Sequence, residues 1–228
     1  MRRVVTTLVA VLVVSVLAAP AHAQPNPDRQ IWLQALAIGQ LSEAWRVHLE
    51  VQPRFQDDAS ELGLTLVRTA IGRRVAPRVT AWVGHAWVPR TFGEGVRHEQ
   101  RAWQQLSITG PVLGRWTTTG RVRLEQRWLD PWADASHRLR LMARAQRPLG
   151  TAGFGVYAYD ELMLTLDDTA RGPASGFDRN RLSAGVSRRL SPTFSVDAGY
   201  LWERAVFGAG RRNDHIAVGV LNVAWPRR

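Results

Sequence analysis

Charged side chains alternate with apolar ones in three windows of the sequence, residues 45–55, 116–128 and 138–146. This period of two indicates β-strands, because an amphipathic helix would need apolar residues three and four apart. A face that carries guanidinium and carboxylate groups in rows can form an ion-pair network or a path for anions. The charged row comprises Arg46, His48, Glu50, Arg54, Arg121, Arg123, Glu125, Arg127, Arg138, Arg140, Arg144 and Glu161.

The sequence contains no recognisable catalytic or metal-binding constellation. It has no cysteine, which excludes thiolate chemistry and cysteine-ligated metals. The histidines after residue 23 are His48, His85, His98, His137 and His215, and no G-x-S-x-G motif supplies a nucleophile. The His-Glu pair at 98–99 lacks the second histidine of a zincin motif. We therefore expect no catalytic residue, no metal and no cofactor.

The first 23 residues have the composition of a secretory signal peptide. Arg2 and Arg3 precede an apolar run over residues 4–19, and Ala21-His22-Ala23 is a small-x-small cleavage site. The run is shorter than the ~20 residues of a membrane-spanning helix. We expect cleavage after Ala23, a short segment over 24–30, one barrel domain over 31–225 and a tail over 226–228. Export of a chain without cysteine fits a bacterial envelope protein.

Eleven strand-like segments follow one another between residues 31 and 225. Their length, about 10–12 residues, is near the ~9–11 of a tilted transmembrane strand and exceeds the ~5–6 usual in soluble proteins. Short connections alternate with longer polar ones at 56–63, 90–100, 130–136, 167–178 and 206–214. This layout predicts an all-β, antiparallel up-and-down transmembrane barrel of about 10–12 strands, with short periplasmic turns and longer extracellular loops. Residues 31–40 alternate poorly, and we expect them to lie inside the barrel or to pair only in part.

Aromatic residues near the strand ends favour a membrane barrel over a soluble sandwich, which stays open as the competing fold. We expect a girdle at the two membrane interfaces made of Trp45, Trp87, Trp116, Trp128, Trp202 and Trp225. Charges on the lipid face would cost ~2–4 kcal/mol each near the midplane, so the charged row should face the lumen. Val47, Leu49, Val122 and Leu124 should then touch lipid. Gln104 and Gln126 share that outer face, and we expect them to mark a bulge or a rim.

Several segments resemble a known family. They are HEQRAWQQL at 98–106, RLEQRW at 123–128, YDELML at 159–164, FDRNRLSAGVSRRLSP at 177–192 and DHIAVGVLNV at 214–223. Together they resemble the domain-of-unknown-function family 2490, which consists of outer-membrane barrel-like proteins of Gram-negative bacteria. The likeness covers essentially the whole chain after the signal peptide. It implies the bacterial outer membrane and a barrel fold, and it implies no activity.

Three functions of different classes remain open at this point. They are a structural or envelope-interaction barrel with an Arg/Glu-filled lumen, a narrow anion-favouring pore or small-solute transporter, and a surface lipid-modifying enzyme. The first is favoured, because a barrel of this size is narrow enough to be filled by its own side chains. The inserted connection 167–178 could help to seal it.

All 30 basic residues are arginines, and the formal net charge is +11. Because these arginines fall at strand spacing in an exported chain, we expect no nucleic acid as partner. Arginine forks onto phosphate groups, so we expect contacts with outer-membrane lipid and with lipopolysaccharide at Arg90, Arg97, Arg211 and Arg212. The barrel-assembly machinery would act during insertion.

Overall fold

The computed structural model describes residues 27–93, 95–131, 134–150, 152–169, 174–207 and 210–225. The predicted signal peptide over 1–23 and the tail over 226–228 lie outside these residues, as do residues 24–26 of the segment over 24–30. Within the described residues, every regular element is a strand. No helix among them is long and apolar enough to cross a membrane.

Eleven strands close into a single barrel, which confirms the predicted fold class and strand number. In chain order they are β1 Arg29–Gln40, β2 Trp45–Gln56, β3 Glu61–Ala76, β4 Val79–Phe92, β5 Gly95–Thr109, β6 Thr117–Leu129, β7 Ala135–Leu149, β8 Phe154–Thr165, β9 Gly176–Arg189, β10 Phe194–Phe207 and β11 Gly210–Trp225.

Successive strands pair antiparallel, and the barrel closes with a parallel pair between β1 and β11. The prediction of an entirely antiparallel barrel was wrong at this one seam. The reason is the odd number of strands: in an up-and-down chain, the first and the eleventh strand run in the same direction. The expectation that residues 31–40 pair only in part was also wrong, since β1 is paired along its length with both β2 and β11.

The strands extend well beyond the predicted segments, at the expense of the connections. We call the end of the barrel with connections 41–44, 77–78, 110–116, 150–153 and 190–193 the turn end. The opposite end, with connections 57–60, 93–94, 130–134, 166–175 and 208–209, is the loop end. At the loop end β4 and β5 stay paired as far as Phe92 and Gly95, so the long connection predicted at 90–100 is a strand hairpin. The connection 166–175 is the longest of the loop end.

Two glycines on the inner face leave room for the rings of two tryptophans. A Cβ on Gly72 would lie 2.4 Å from the ring of Trp82, and one on Gly84 would lie 2.5 Å from the ring of Trp103. These distances are far below van der Waals contact. Glycine at both positions therefore allows each indole to lie across the neighbouring strand inside the barrel.

Candidate functional site

The twelve residues of the predicted charged row all occupy strand positions on the inner face of the barrel. Seven of them are buried, and Arg46, Arg54, Arg121, Arg127 and Arg144 are partly buried. Residues beside them on the same strands are exposed, for example Leu49 and Val122. This alternation follows from strand geometry, in which successive side chains point to opposite faces.

Eight charged residues in the lumen form a closed ring of alternating arginines and carboxylates. Its order is Glu125, Arg138, Asp178, Arg179, Glu203, Arg181, Glu161, Arg140 and back to Glu125. The distances between nitrogen and oxygen range from 2.5 Å for Arg138–Glu125 to 3.6 Å for Arg181–Glu161. We call this set the ion ring. It joins strands β6 to β10 across the interior.

Each carboxylate of the ion ring meets two ring arginines, and each ring arginine meets two ring carboxylates. Glu125 is 0% exposed and Glu161 is 3% exposed. Isolated charges at such depth would cost several kcal/mol each, so the pairing is what makes their burial tolerable. Removal of one member therefore leaves its neighbours without part of their compensation.

Two smaller ion-pair groups flank the ion ring. Toward the loop end, Glu99 accepts hydrogen bonds from Arg101 at 2.8 Å, Arg127 at 2.6 Å and Arg90 at 2.9 Å. On the opposite wall, Glu50 pairs with Arg68 at 2.6 Å and with His48 at 3.0 Å. Both glutamates are buried. The lumen charges are thus compensated by strand residues on every side, rather than by the described residues of connection 166–175.

Two buried indoles hold further arginines by cation–π contact. The ring of Trp32 lies between Arg54, at 3.6 Å, and Arg181, at 4.7 Å. The ring of Trp103 lies between Arg123, at 4.3 Å, and Arg68, at 5.8 Å. Such contacts are worth up to ~2 kcal/mol when they are desolvated. They help to explain how the lumen holds more arginines than carboxylates.

The lumen is filled unevenly along the barrel axis. The loop-end half is packed with buried side chains, including Val88, Ala205 and Ile216, each 0% exposed. The turn-end half contains a cavity of about 860 Å³, which we call the vestibule. His48 and Arg123 are the innermost charged residues that line it, and none of the ion-ring residues does. The vestibule therefore ends before it reaches the ion ring.

The outer face is apolar between two levels of aromatic residues. Trp87 and Trp128 face the same partner, Gln100, in the neighbouring strand, so they lie at one level toward the loop end. Trp202 lies near the same end, half-buried. Trp45, Trp116 and Trp225 lie at the turn end, and the first two are 42% and 37% exposed. Of the six tryptophans of the predicted girdle, Trp45, Trp116, Trp128 and Trp225 thus lie at or beside the ends of strands, whereas Trp87 and Trp202 lie five residues before the ends of β4 and β10.

Two polar pairs interrupt the apolar outer face. The amides of Gln104 and Gln126 donate to each other at 3.1 and 3.2 Å. They lie within regularly paired strands, so the expectation of a bulge or rim at these two residues was wrong. Asn180 donates to Asp160 at 2.5 Å, close to the bulge at Met163/Leu164. In each pair a side-chain amide donates to the neighbouring polar group, while the Oδ1 of Asn180 has no hydrogen-bond partner.

At the loop-end rim, two of the arginines expected to meet lipopolysaccharide turn into the lumen instead. Arg90 pairs with Glu99 at 2.9 Å, and Arg212 pairs with Asp214 at 2.7 Å. The structure places them inward because the predicted connections are strands there, and both residues fall on inner positions. Arg211 remains exposed. Its side chain at the loop-end rim is therefore accessible from outside the barrel.

The first residues of connection 166–175 are held against β7. Asp167 accepts hydrogen bonds from the backbone amide of His137 at 2.8 Å and from its ring at 2.5 Å. Slight desolvation acts to raise the pKa of Asp167, but these hydrogen bonds outweigh it and lower the pKa below its ordinary value. The ionised carboxylate of Asp167 therefore holds the first residues of connection 166–175 against β7.

Sequence reasoning missed half of the ion ring and most of the Glu99 group. Asp178 and Arg179 lie at the bulge between β8 and β9, which brings these adjacent residues to the same side. Arg181 and Glu203 lie in regularly paired parts of β9 and β10. Glu99 fell within a predicted connection. The alternation of residues 99, 101 and 103 was the available signal for it.

Two comparisons with known proteins find matches over most of the chain. A family model described as "Protein of unknown function (DUF2490)" matches residues 29–214. An uncharacterized protein of Methylorubrum extorquens is 32% identical over 213 residues, which cover 92% of this chain and 93% of that protein. The matched region contains nearly the whole barrel, from the start of β1 into β11.

Proposed function

We propose that this chain, which belongs to the DUF2490 family of unknown function, is a bacterial outer-membrane barrel with a closed lumen. Its role is that of a structural or envelope-interaction protein, and it is not a general porin. The single observation that carries this proposal is the inverted distribution of residues. Buried carboxylates and arginines fill the interior, while large apolar side chains cover the outside.

The inverted distribution favours a membrane because a soluble barrel would place apolar residues inside and charges outside. The spacing of the aromatic levels points the same way. Eight residues separate Phe194 from Trp202 on the outer face of β10, which is roughly 26 Å along a strand and about 20 Å at a tilt near 40°. An outer-membrane barrel presents an apolar band of ~25 Å.

The closed lumen follows from the ion ring and the packed loop-end half. A solute that crossed would have to displace buried side chains whose charges are compensated only by one another. Breaking one buried pair costs ~3–5 kcal/mol, so thermal opening of several pairs at once is rare. The narrow anion-favouring pore is the second candidate, and the excess of arginine over carboxylate in the vestibule favours it.

We place no catalytic role in the barrel. The two histidine–carboxylate pairs, His48–Glu50 and His137–Asp167, are the arrangements closest to a general base. Within the part of the chain that the structure describes, no serine or threonine hydroxyl is hydrogen-bonded to either ring. In the proposed orientation, the turn end faces the periplasm, the loop end faces outward, and Arg211 is available to lipopolysaccharide phosphates.

Cell fractionation tests the compartment directly. A tagged full-length chain should be found in the outer-membrane fraction after removal of its first 23 residues, as judged by N-terminal sequencing. Release with the soluble periplasmic proteins on osmotic shock would contradict the proposal. So would an unprocessed chain in the inner membrane.

Conductance in planar bilayers tests the closed lumen. The folded barrel, shown to be inserted by its protection from protease in vesicles, should give no large stable conductance and at most small anion-favouring events. A steady porin-like conductance, above all one with cation preference, would refute the closed and arginine-rich lumen. Arg140→Gln provides an internal check, because it opens the ion ring at one arginine and should raise the frequency of small events.

A further inference from the structure

The two halves of the lumen differ in their charge balance. The ion ring, none of whose residues lines the vestibule, balances four arginines with four carboxylates. The vestibule is lined by five arginines, and Asp197 is the single carboxylate among the described residues of its lining. An excess of positive charge in a concave space with low-dielectric walls attracts anions. The vestibule is therefore the electropositive part of the interior.

Several donors in the vestibule have hydrogen-bonding capacity left over. Arg121 uses one Nη on Glu161, while its Nε has no hydrogen-bond partner. Arg123, 1% exposed, makes no hydrogen bond through Nη1, which lies 3.6 Å from a carboxylate oxygen of Glu125. The indole nitrogen of Trp82, 8% exposed, also has no hydrogen-bond partner. Buried donors without partners are rare in native proteins, and one physical reason for them is a ligand.

The opposite wall of the vestibule is apolar. Leu36 and Ile38 of β1 and the ring of Trp82 line it, facing the basic wall of Arg121 and Arg144. A volume of about 860 Å³ lies within the ~300–1,000 Å³ of small-molecule sites. The shape thus offers charge on one side and apolar surface on the other.

We propose that the vestibule binds a small amphiphile through an anionic head, a phosphate or a carboxylate. The head is held by Arg121, Arg123 and Arg144, and the apolar part lies against Leu36, Ile38 and Trp82. Arg144 is already paired with Asp197 at 3.1 Å, so Asp197 competes with the ligand for this guanidinium. The site is a property of the folded lumen and does not depend on which membrane the barrel occupies.

Binding is measured by calorimetry on the folded barrel in neutral detergent, with hexyl phosphate as the probe. Inorganic phosphate and hexanol separate the contributions of the head and the apolar part. We expect hexyl phosphate to bind more tightly than either. Arg121→Gln should weaken it by about 10-fold or more, the value of one hydrogen bond to a charged group. In this variant Glu161 remains paired with Arg140 and Arg181, so no buried carboxylate loses all of its ion pairs.

The variant Asp197→Asn should change the affinity in the opposite direction. It releases Arg144 and removes the competing charge, so hexyl phosphate should bind more tightly, whereas a variant that merely damaged the fold would bind more weakly. Arg73→Gln is the matched control, since Arg73 is an exposed arginine on the outer face near the turn end. It should leave the affinity unchanged.

Four results would overturn the assignment. Equal affinities for hexyl phosphate and inorganic phosphate would exclude the apolar wall from the site, and equal affinities for hexyl phosphate and hexanol would exclude the arginines. If Arg73→Gln lowered the affinity as much as Arg121→Gln, the net charge of the protein and not the vestibule would account for binding. Weaker binding by Asp197→Asn would contradict the competition. None of these measurements depends on fractionation or conductance, so the two proposals can fail separately.

Discussion

Replacement of Glu125 by glutamine removes the most connected charge of the ion ring while nearly conserving its volume. Glu125 is 0% exposed and pairs with Arg138 at 2.5 Å and Arg140 at 2.8 Å. Arg123 and Arg101 lie at 3.6 and 3.9 Å. Removal of one partner from a buried ion pair costs ~3–5 kcal/mol, because the remaining charge stays buried without compensation.

The structure places the expected loss at the lower end of that range. Arg138 keeps Asp178, Arg140 keeps Glu161 and Arg101 keeps Glu99. Only Arg123 loses its carboxylate, and it retains Gln105 and the ring of Trp103. We therefore expect Glu125→Gln to lower the free energy of unfolding by about 3 kcal/mol, a factor of roughly 150 in the unfolding equilibrium.

Urea unfolding in lipid vesicles, followed by tryptophan fluorescence, measures this loss. The control is Glu61→Gln, an exposed glutamate at the loop-end rim, which should change the free energy by less than about 0.5 kcal/mol. If Glu125→Gln changed it no more than the control, the ion ring would not be a stabilising network. A double-mutant cycle with Arg138→Met should give a coupling of roughly 0.5–3 kcal/mol, and zero coupling would refute the pair itself.

Two further predictions concern the outer face and the loop-end rim. Val83 is 56% exposed on the outer face of β4. Its replacement by arginine should lower the free energy of unfolding in a bilayer by ~2–4 kcal/mol. Leu113→Arg in connection 110–116 should cost only ~0–1 kcal/mol, and equal costs in urea unfolding would mean that no apolar solvent surrounds the barrel. At the rim, the pKa of Asp167 is lower in the folded protein than its ordinary value of 3.8. Its hydrogen bonds to His137 therefore stabilise the fold fully at pH values above 3.8, and this stabilisation is lost as the pH falls through the lower pKa of the folded protein. The amide protection factor of His137 should fall over that range and should be low at every pH in Asp167→Ala; an unchanged factor in that variant would contradict the contact.

The sequence predicts the inner and outer faces of β2, β6 and β7, because charged residues alternate with apolar ones along most of each strand. Arg123 and Glu125 beside Val122 and Leu124 are an example. In such a pattern a shift of the strand by one residue would move every charge from the inner to the outer face, so one arrangement is strongly preferred. The strand number follows from the same periodicity.

The faces of β1 and β4 could not be predicted from the same pattern, since both of their faces are apolar. Trp32 and Ile38 point into the lumen, while Ile31 and Leu33 point outward. The lumen core of Trp82, Trp103 and neighbouring residues depends on glycines in adjacent strands, which are a tertiary feature. The ion ring joins residues far apart in the chain, and local periodicity carries no information about such pairing.

We infer that lipid surrounds the barrel while water reaches only its turn-end vestibule. Adjacent residues Val186 and Ser187 of β9 test it, since Val186 is 54% exposed on the outer face and Ser187 lines the vestibule. The chain has no cysteine, so Val186→Cys and Ser187→Cys each carry one thiol. In vesicles, a lipid-soluble maleimide should label Cys only in the first variant, and a charged aqueous maleimide only in the second. The reverse pattern, or aqueous labelling of both, would contradict the account.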